Sequence, residues 1–304
     1  MINISKILCA GIVSLSFVAG LTSCKSGDQD FPDFDYQACY FAKQYPVRTI
    51  ELGNDLYVNV KNDNQHKFEI QAVMGGAYKN PRDININIAV DPTLCDGLTF
   101  ADGTAVTVMP ESYYKMAAQK IVIPSGSAVG GVEVQLEDAF FNDPLSVTTH
   151  YVIPVRMLDA TGVDTILADK KFTLYAVKYI NKYHAEYLLN GSLQGATVNL
   201  TTKNLSTSLF NYAAKDASGT AHNCEIQLNF DANDNCTVTT NTEGFTVQGS
   251  GRWVEADETQ LVGARHPDTI YLNFTVKNEA LGINATESYV LTVKTRGVKS
   301  ENFM

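Results

Sequence analysis

The chain has 304 residues with 23 basic and 33 acidic side chains, a formal net charge of −10. That balance, with no basic cluster anywhere, excludes a phosphate-tracking nucleic-acid binder. With 45% apolar residues, the chain is rich enough to bury a core and long enough for two domains.

The first segment reads as a leader. Lys6 supplies its positive start, and Ile7 to Leu21 form an apolar run shorter than the about 20 residues a spanning helix needs. Leu21-Thr22-Ser23-Cys24 resembles the bacterial lipobox, which implies a lipidated Cys24 at the mature N-terminus. Two acyl chains hold a protein at a bilayer where one is marginal. The alternative is an ordinary signal peptide with a cysteine near its cleavage site. Lys25, Asp28, Asp30, Asp33 and Asp35 follow, in a tail too poor in apolar residues to fold. Lys25, Asp28 and Asp30 resemble the acidic surface-export tag of Bacteroidetes lipoproteins; a plain solvated linker is the alternative. The reading is a signal peptide over 1–23 and a tether over 24–35, with the protein lipid-anchored in the outer membrane and facing the cell exterior. Residues 1–23 hold one Lys and no acid, so the remainder carries a net charge of −11.

Beyond the tether, alternation dominates. In chain order the predicted strands are "LYVNV", "KFEIQAVM", "DININIAV", "AVTVM", "KIVIP", "GGVEVQLE", "HYVIPVRML", "FTLYAV", "CEIQLNF", "IYLNFTV" and "YVLTVKT". In "DININIAV", Ile84, Ile86, Ile88 and Val90 share one face. Turn chemistry separates the strands at Gly75-Gly76, Asp102-Gly103, Ser125-Gly126, Thr161-Gly162, Gly244 and Gly249 to Gly251. Short helical turns fit "PESYYKMAAQ" and "EDAFF", and no long stretch carries a 3.6-residue apolar period. The fold class is therefore all-β, as two sandwiches or barrels. The boundary falls near "YAVKYINKYHAEY", where charge rises; eight prolines lie from Pro32 to Pro154 and one, Pro267, after them.

Cys39, Cys95, Cys224 and Cys236 remain after the leader and the lipid site. "CEIQLNFDANDNCTVTT" reads as a hairpin whose register sets Phe230, not Cys224, opposite Cys236. Cys224 is then too far along its strand for a bridge, so four reduced, partly buried thiols are expected.

"CYFAKQYPVRTIELGND", "MGGAYKN", "ESYYKMAAQKIVIPSGS" and "EDAFFNDPLSVTTHYVIPVRML" resemble blocks of the Bacteroidetes lipoprotein module known as domain of unknown function 1735. The resemblance covers residues 36–178 and implies an N-terminal immunoglobulin-like β-sandwich. Residues 179–304 resemble the smaller β domains that follow this module, a second β-sandwich or a small β-barrel. What the resemblance implies is a polysaccharide-utilisation role: capturing a glycan at the surface beside a transporter complex.

Catalytic signals are sparse. There is no phosphate loop, G-x-S-x-G elbow or H-E-x-x-H motif. His66, His150, His184, His222 and His266 never reach metal-pair spacing, and "DANDN" lacks the glycine and distal glutamate of an EF-hand. No cofactor and no metal are expected, and no acidic pair stands out for glycoside hydrolysis. Sugar binding needs aromatic faces beside hydrogen-bonding groups. Trp253, set among Gly251, Arg252, Glu255 and Asp257, reads either as a stacking platform at a loop-rich rim or as a core residue of the C-terminal domain. Tyr113 and Tyr114 are the next aromatic candidates, against packing at a sandwich edge. Tyr179, Tyr183 and Tyr187 cluster at the boundary and read as inter-domain packing. Asp164-Thr165 and Asp268-Thr269 match the short pattern of Bacteroides O-glycosylation, making Thr165 and Thr269 acceptor candidates. The sequence reading is a non-catalytic surface lipoprotein that binds glycans for import. The alternatives are an adhesion or fimbria-like subunit trimmed at Arg48 to receive a partner's strand, and a glycoside hydrolase.

Overall fold

Alternating burial builds nearly every element. In the computed structural model, which describes residues 36–55, 57–190, 196–256 and 267–304, the N-terminal part holds β1 (Ala38–Tyr40), β2 (Pro46–Glu51), the one-turn helix α1 (Lys61–Asn64), β3 (Lys67–Gly75), β4 (Ile84–Val90), β5 (Thr107–Val108), β6 (Tyr114–Met116), β7 (Lys120–Ile123), β8 (Val129–Leu136), the one-turn helix α2 (Asp138–Phe141), β9 (Tyr151–Thr161), β10 (Thr165–Ile166) and β11 (Phe172–Ile180). β12 (Ala185–Leu189), β13 (Thr197–Thr202), β14 (Thr207–Lys215), β15 (Ala221–Phe230), β16 (Asn235–Thr240), β17 (Thr246–Val254), β18 (Thr269–Asn278) and β19 (Ile283–Thr295) follow, and β20 (Glu301–Asn302) ends the chain.

The N-terminal part is two curled sheets. One runs β10-β1-β3-β8-β6; the other runs β20-β2-β11-β9-β4-β7, with β5 added beside β9. Ile70, Ile84, Ile86, Val132, Val134, Ile153 and Val155 meet between them. Strand β9 is buried on both faces: Ile153 and Val155 face that core, while Val152 faces a smaller one with Phe100, Leu174, Ala176 and Phe303 on the outer side of its sheet. The run "YVIPVRM" is apolar without alternation for that reason.

β12 to β19 close into an eight-stranded antiparallel barrel. Its interior is packed with side chains, among them Phe210, Ile226, Leu228, Val238, Leu272 and Leu291, as expected at this strand number. The hairpin register pairs Phe230 with Cys236, and all four described cysteines are buried and unbridged. Residues Tyr36–Met304 form one compact unit.

Three sequence expectations change here. "LYVNV" forms no strand: Asp55 Oδ1 accepts from the amides of Tyr57 at 2.6 Å and Val58 at 2.8 Å, and a local side-chain turn competes with a ladder. Val90 leaves the buried face of β4 and is exposed. Gly249 and Gly251 are not a turn but part of β17, where β18 comes so close that a Cβ on Gly251 would sit 2.3 Å from the Tyr271 carbonyl oxygen. After the barrel, β20 crosses back to pair with β2 through Pro46–Asn302 and Val47–Glu301.

Candidate functional site

Two of the aromatic residues singled out from sequence, Trp253 and Tyr114, are buried, and Tyr113 is half-buried. Trp253 is 6% exposed and closes one barrel end, edge-on to Tyr183 at 5.3 Å, while Tyr183 stacks on Phe230 at 3.6 Å. β17 pairs with β18 so that Trp253 faces the interior opposite Ile270, which corrects the rim reading. Tyr114 is 7% exposed and belongs to the sandwich core. Tyr113 is half-buried, and its hydroxyl donates to Asp143 Oδ2 at 2.8 Å, as does that of Tyr151 at 2.6 Å. Burial pushes the Asp143 carboxyl up, but those hydroxyls and the Leu145 amide outweigh it and hold the group below the usual range. The three boundary tyrosines also separate: Tyr179 joins the sandwich core, Tyr183 and Tyr187 the barrel core.

Thr165 and Thr269 are half-buried strand residues. The aspartates before them are engaged: Asp164 Oδ2 accepts from the Gln37 amide at 2.7 Å and Asp268 Oδ1 from the Ala256 amide at 2.7 Å. Cys24, Lys25, Asp28 and Asp30 lie outside the described residues, as does His266. Among the described residues, no group of three or more His, Cys, Asp or Glu is placed to hold a metal ion.

What the fold does build is a cleft of ≈ 500 Å³ over the outer face of the β9–β11–β2 sheet, within the range of small-ligand sites. Three separate segments make its walls. The first is the hairpin around Asp102-Gly103, where Phe100 exchanges main-chain hydrogen bonds with Thr104 and Gly103. Gly103 takes φ 84°, a conformation glycine adopts without strain. Asp102 Oδ1 accepts from the Thr104 amide at 2.9 Å and hydroxyl at 2.6 Å. The second is the segment before β9, with Leu145, Thr148, Thr149 and His150 on the cleft; Asp143 fixes its start by accepting from the Leu145 amide at 2.8 Å. The third is the C-terminal strap, which carries Glu301, Asn302 and Phe303.

The strap is held at several points. Lys43 Nζ donates to Ser300 Oγ at 2.7 Å, Lys178 Nζ pairs with Glu301 Oε2 at 3.1 Å, and the Phe303 amide donates to the Tyr45 carbonyl at 3.1 Å. The Phe303 ring is 6% exposed and sits edge-on to Tyr45 at 5.6 Å and Phe100 at 5.2 Å. Phe100 and Phe303 thus form an apolar floor, and Asp102, Thr148, Thr149, His150, Glu301 and Asn302 stand around it. Among the described residues, no hydrogen-bond donor meets Asp102 Oδ2 or Glu301 Oε1. The Thr104 hydroxyl, backed by its amide, holds the Asp102 carboxyl below its usual range, so it is an ionised acceptor at neutral pH.

None of these wall residues was singled out in the sequence as a ligand contact. Two signals were present: the Asp102-Gly103 turn between short apolar runs, and Phe303 after the polar run "KSEN".

Two curled sheets followed by a closed eight-strand antiparallel barrel, with an open cleft on the first part, define the class: an all-β, two-part protein. Residues 34–164 match a family model described as a "-like, N-terminal domain", and residues 160–297 match "Domain of unknown function (DUF5627)". A solved Bacteroides ovatus protein of unknown function is 35% identical with a TM-score of 0.81, over 89% of this chain and 99% of that one. The chain belongs to the family of that two-domain Bacteroides protein. More distant is a Bacteroides ovatus multidomain protein including DUF1735, at 14% identity and TM-score 0.44 over 85% of this chain and 93% of that one. A Bacteroides ovatus "putative carbohydrate binding protein" stands at 11% identity and TM-score 0.33, over 88% of this chain and 98% of that one. Scores this low carry no argument about ligand. No curated protein matches the chain.

Proposed function

We propose that the protein is an outer-membrane surface lipoprotein that captures complex glycans for import, without catalysis of its own, and that it holds them in the strap-walled cleft. The carrying observation is the cleft itself: an apolar floor of Phe100 and Phe303 ringed by Asp102, Thr148, Thr149, His150, Glu301 and Asn302. Uncommitted carboxylate oxygens, hydroxyls and an amide suit the hydroxyl array of a sugar, and apolar ring edges suit its C–H face. In this reading Cys24 carries the lipid, Lys25, Asp28 and Asp30 direct export, and the partner is a glycan transporter complex in the same membrane, as the resemblance to the 1735 module implies. Arg48 lies in β2 between β11 and β20 and pairs with Asp63, which speaks for a sheet residue rather than a trimming site.

The test is a glycan array with the chain from residue 25 onward, beside Asp102→Ala and Asn302→Ala. Binding of one glycan class that weakens at least about tenfold in either variant, about 1.4 kcal/mol, supports capture at the cleft. Binding that both variants leave intact moves the site elsewhere. An array without any bound glycan, or release of reducing sugar that Asp102→Ala abolishes, overturns the reading.

A further inference from the structure

The wall of the cleft is chemically one-sided. Its lining carries two carboxylates, Asp102 and Glu301, and among the described residues no Lys or Arg. The lysines close by are engaged: Lys178 pairs with Glu301 at 3.1 Å, and Lys43 donates to Ser300 at 2.7 Å. Arg48 follows Val47 on β2, and successive strand residues face opposite ways. Val47 lines the cleft, whereas Arg48 pairs with Asp63 of α1.

Hydrogen-bonding capacity is skewed in the same direction. The Thr104 hydroxyl donates to Asp102 Oδ1 at 2.6 Å, and the Thr148 hydroxyl to the Leu145 carbonyl at 2.8 Å. Each is committed as a donor and still able to accept. The amides of Thr104 and Leu145 are taken by Asp102 and Asp143. Among the described residues no donor meets Asp102 Oδ2 or Glu301 Oε1, and an ionised carboxylate only accepts. The lining side chains left to donate are Thr149, His150 and Asn302.

A sugar hydroxyl gives its proton to such a wall. A sulfate, or the ionised carboxylate of a uronate or a sialic acid, does not: it brings acceptors alone and a further negative charge. Two like charges about 5 Å apart at a protein surface repel enough to lower affinity roughly fivefold or more. The chain's net charge of −10 adds a longer-range repulsion that slows the approach of an anion.

We infer that the cleft selects uncharged glycans and rejects those with a sulfate, uronate or sialic acid at the sugar it holds, and that Asp102 and Glu301 set this choice. The inference rests on the reading of the cleft as a glycan site and adds to it the class of sugar.

The experiment begins with an array in which uncharged glycans stand beside the same glycans bearing a sulfate, a uronate or a sialic acid. Isothermal titration of the full chain then compares each matched pair. An uncharged glycan binds, and its anionic counterpart binds at least about fivefold more weakly. That gap narrows as the Debye length falls from about 10 Å at 0.1 M salt to about 3 Å at 1 M. In D102N/E301Q the ratio between the two affinities shrinks at least about threefold, and the ratio remains readable if both affinities drop. Anionic counterparts that bind as well or better, a gap that high salt leaves unchanged, or an unchanged ratio in a folded double variant each overturns the inference and leaves glycan capture standing. An array without any bound glycan overturns the capture reading, and the inference with it. The salt comparison on the unaltered chain decides the matter if the double variant does not fold.

Discussion

Arg296 Nη2 donates a 2.8 Å hydrogen bond to the main-chain carbonyl of Asn181, tying the residue after the last barrel strand, β19, to the residue after β11 of the N-terminal sheets. The same guanidinium donates to the carbonyls of Leu52 and Asn54, each at 3.0 Å. Arg296 is 5% exposed, so one buried cation holds three segments together. Asn181 extends the tie, with its side-chain amide donating to the carbonyls of Asn204 at 2.8 Å and Thr207 at 3.2 Å. From this anchored point the chain leaves the barrel and runs as the strap back to β2.

Arg296→Met removes all three bonds and leaves the buried Asn181 carbonyl without this donor, which costs about 3 kcal/mol. A denaturant midpoint measures the loss. Limited proteolysis reports cleavage near residues 181–184 sooner than in the unaltered protein.

Phe303→Ala empties the cleft floor and unseats the strap. Phe-to-Ala changes at buried sites cost about 3 kcal/mol or more. The variant remains folded if the two cores carry the remainder, and its glycan binding falls with the strap; a variant that melts earlier yet binds fully separates the strap from the site.

Trp253→Phe keeps a ring in the barrel end and costs about 1–2 kcal/mol through lost packing, with glycan binding unchanged because the residue is core. Gly251→Ala is worse for its size. Its Cβ would meet the Tyr271 carbonyl oxygen at 2.3 Å and Leu272 Cδ2 at 2.5 Å, an overpacking cost of about 2 kcal/mol. Thermal melts of the two variants beside an array of the Phe variant test both statements.

His184 gives a pH signature. Burial first, then Arg296 and Lys178, lowers its pKa from 6.5 to about 4, and its Nδ1 accepts from the Thr202 amide at 3.1 Å. Below pH 6.5 the unfolded chain takes up a proton that the folded chain refuses, so this stabilising contribution is full above that pH and is lost as pH falls toward 4. Burial raises the carboxyls of Glu51, Asp63 and Asp268, which act in the opposite sense, so the comparison is made against His184→Gln. The stability advantage of the unaltered protein over that variant shrinks by about 3 kcal/mol between pH 7 and pH 4, read from urea midpoints.

Where a strand's two faces differ, the sequence announced it. "KFEIQAVM", "GGVEVQLE" and "CEIQLNF" place Phe68, Ile70, Val132, Val134, Ile226 and Leu228 in the cores. The Phe230–Cys236 register also followed, because a hairpin's pairing is set by its own turn. Local chemistry misled where a glycine served a neighbour rather than a turn, as at Gly251, and where Asp55 captured the amides that "LYVNV" needed for a ladder.

The sequence by itself determined the all-β class, the inward residues of most strands, and the turns at Gly103, Gly126, Gly162 and Gly244. Each of these depends on a side chain and its near neighbours in the chain. Only the tertiary structure decided that β12 to β19 close on themselves and that Trp253 turns into that closed interior. It alone decided that Phe303 returns over more than 250 residues to sit beside Tyr45. Those outcomes rest on pairings between distant strands, whose partners are selected by the burial of whole faces at once, and no local pattern carries that choice.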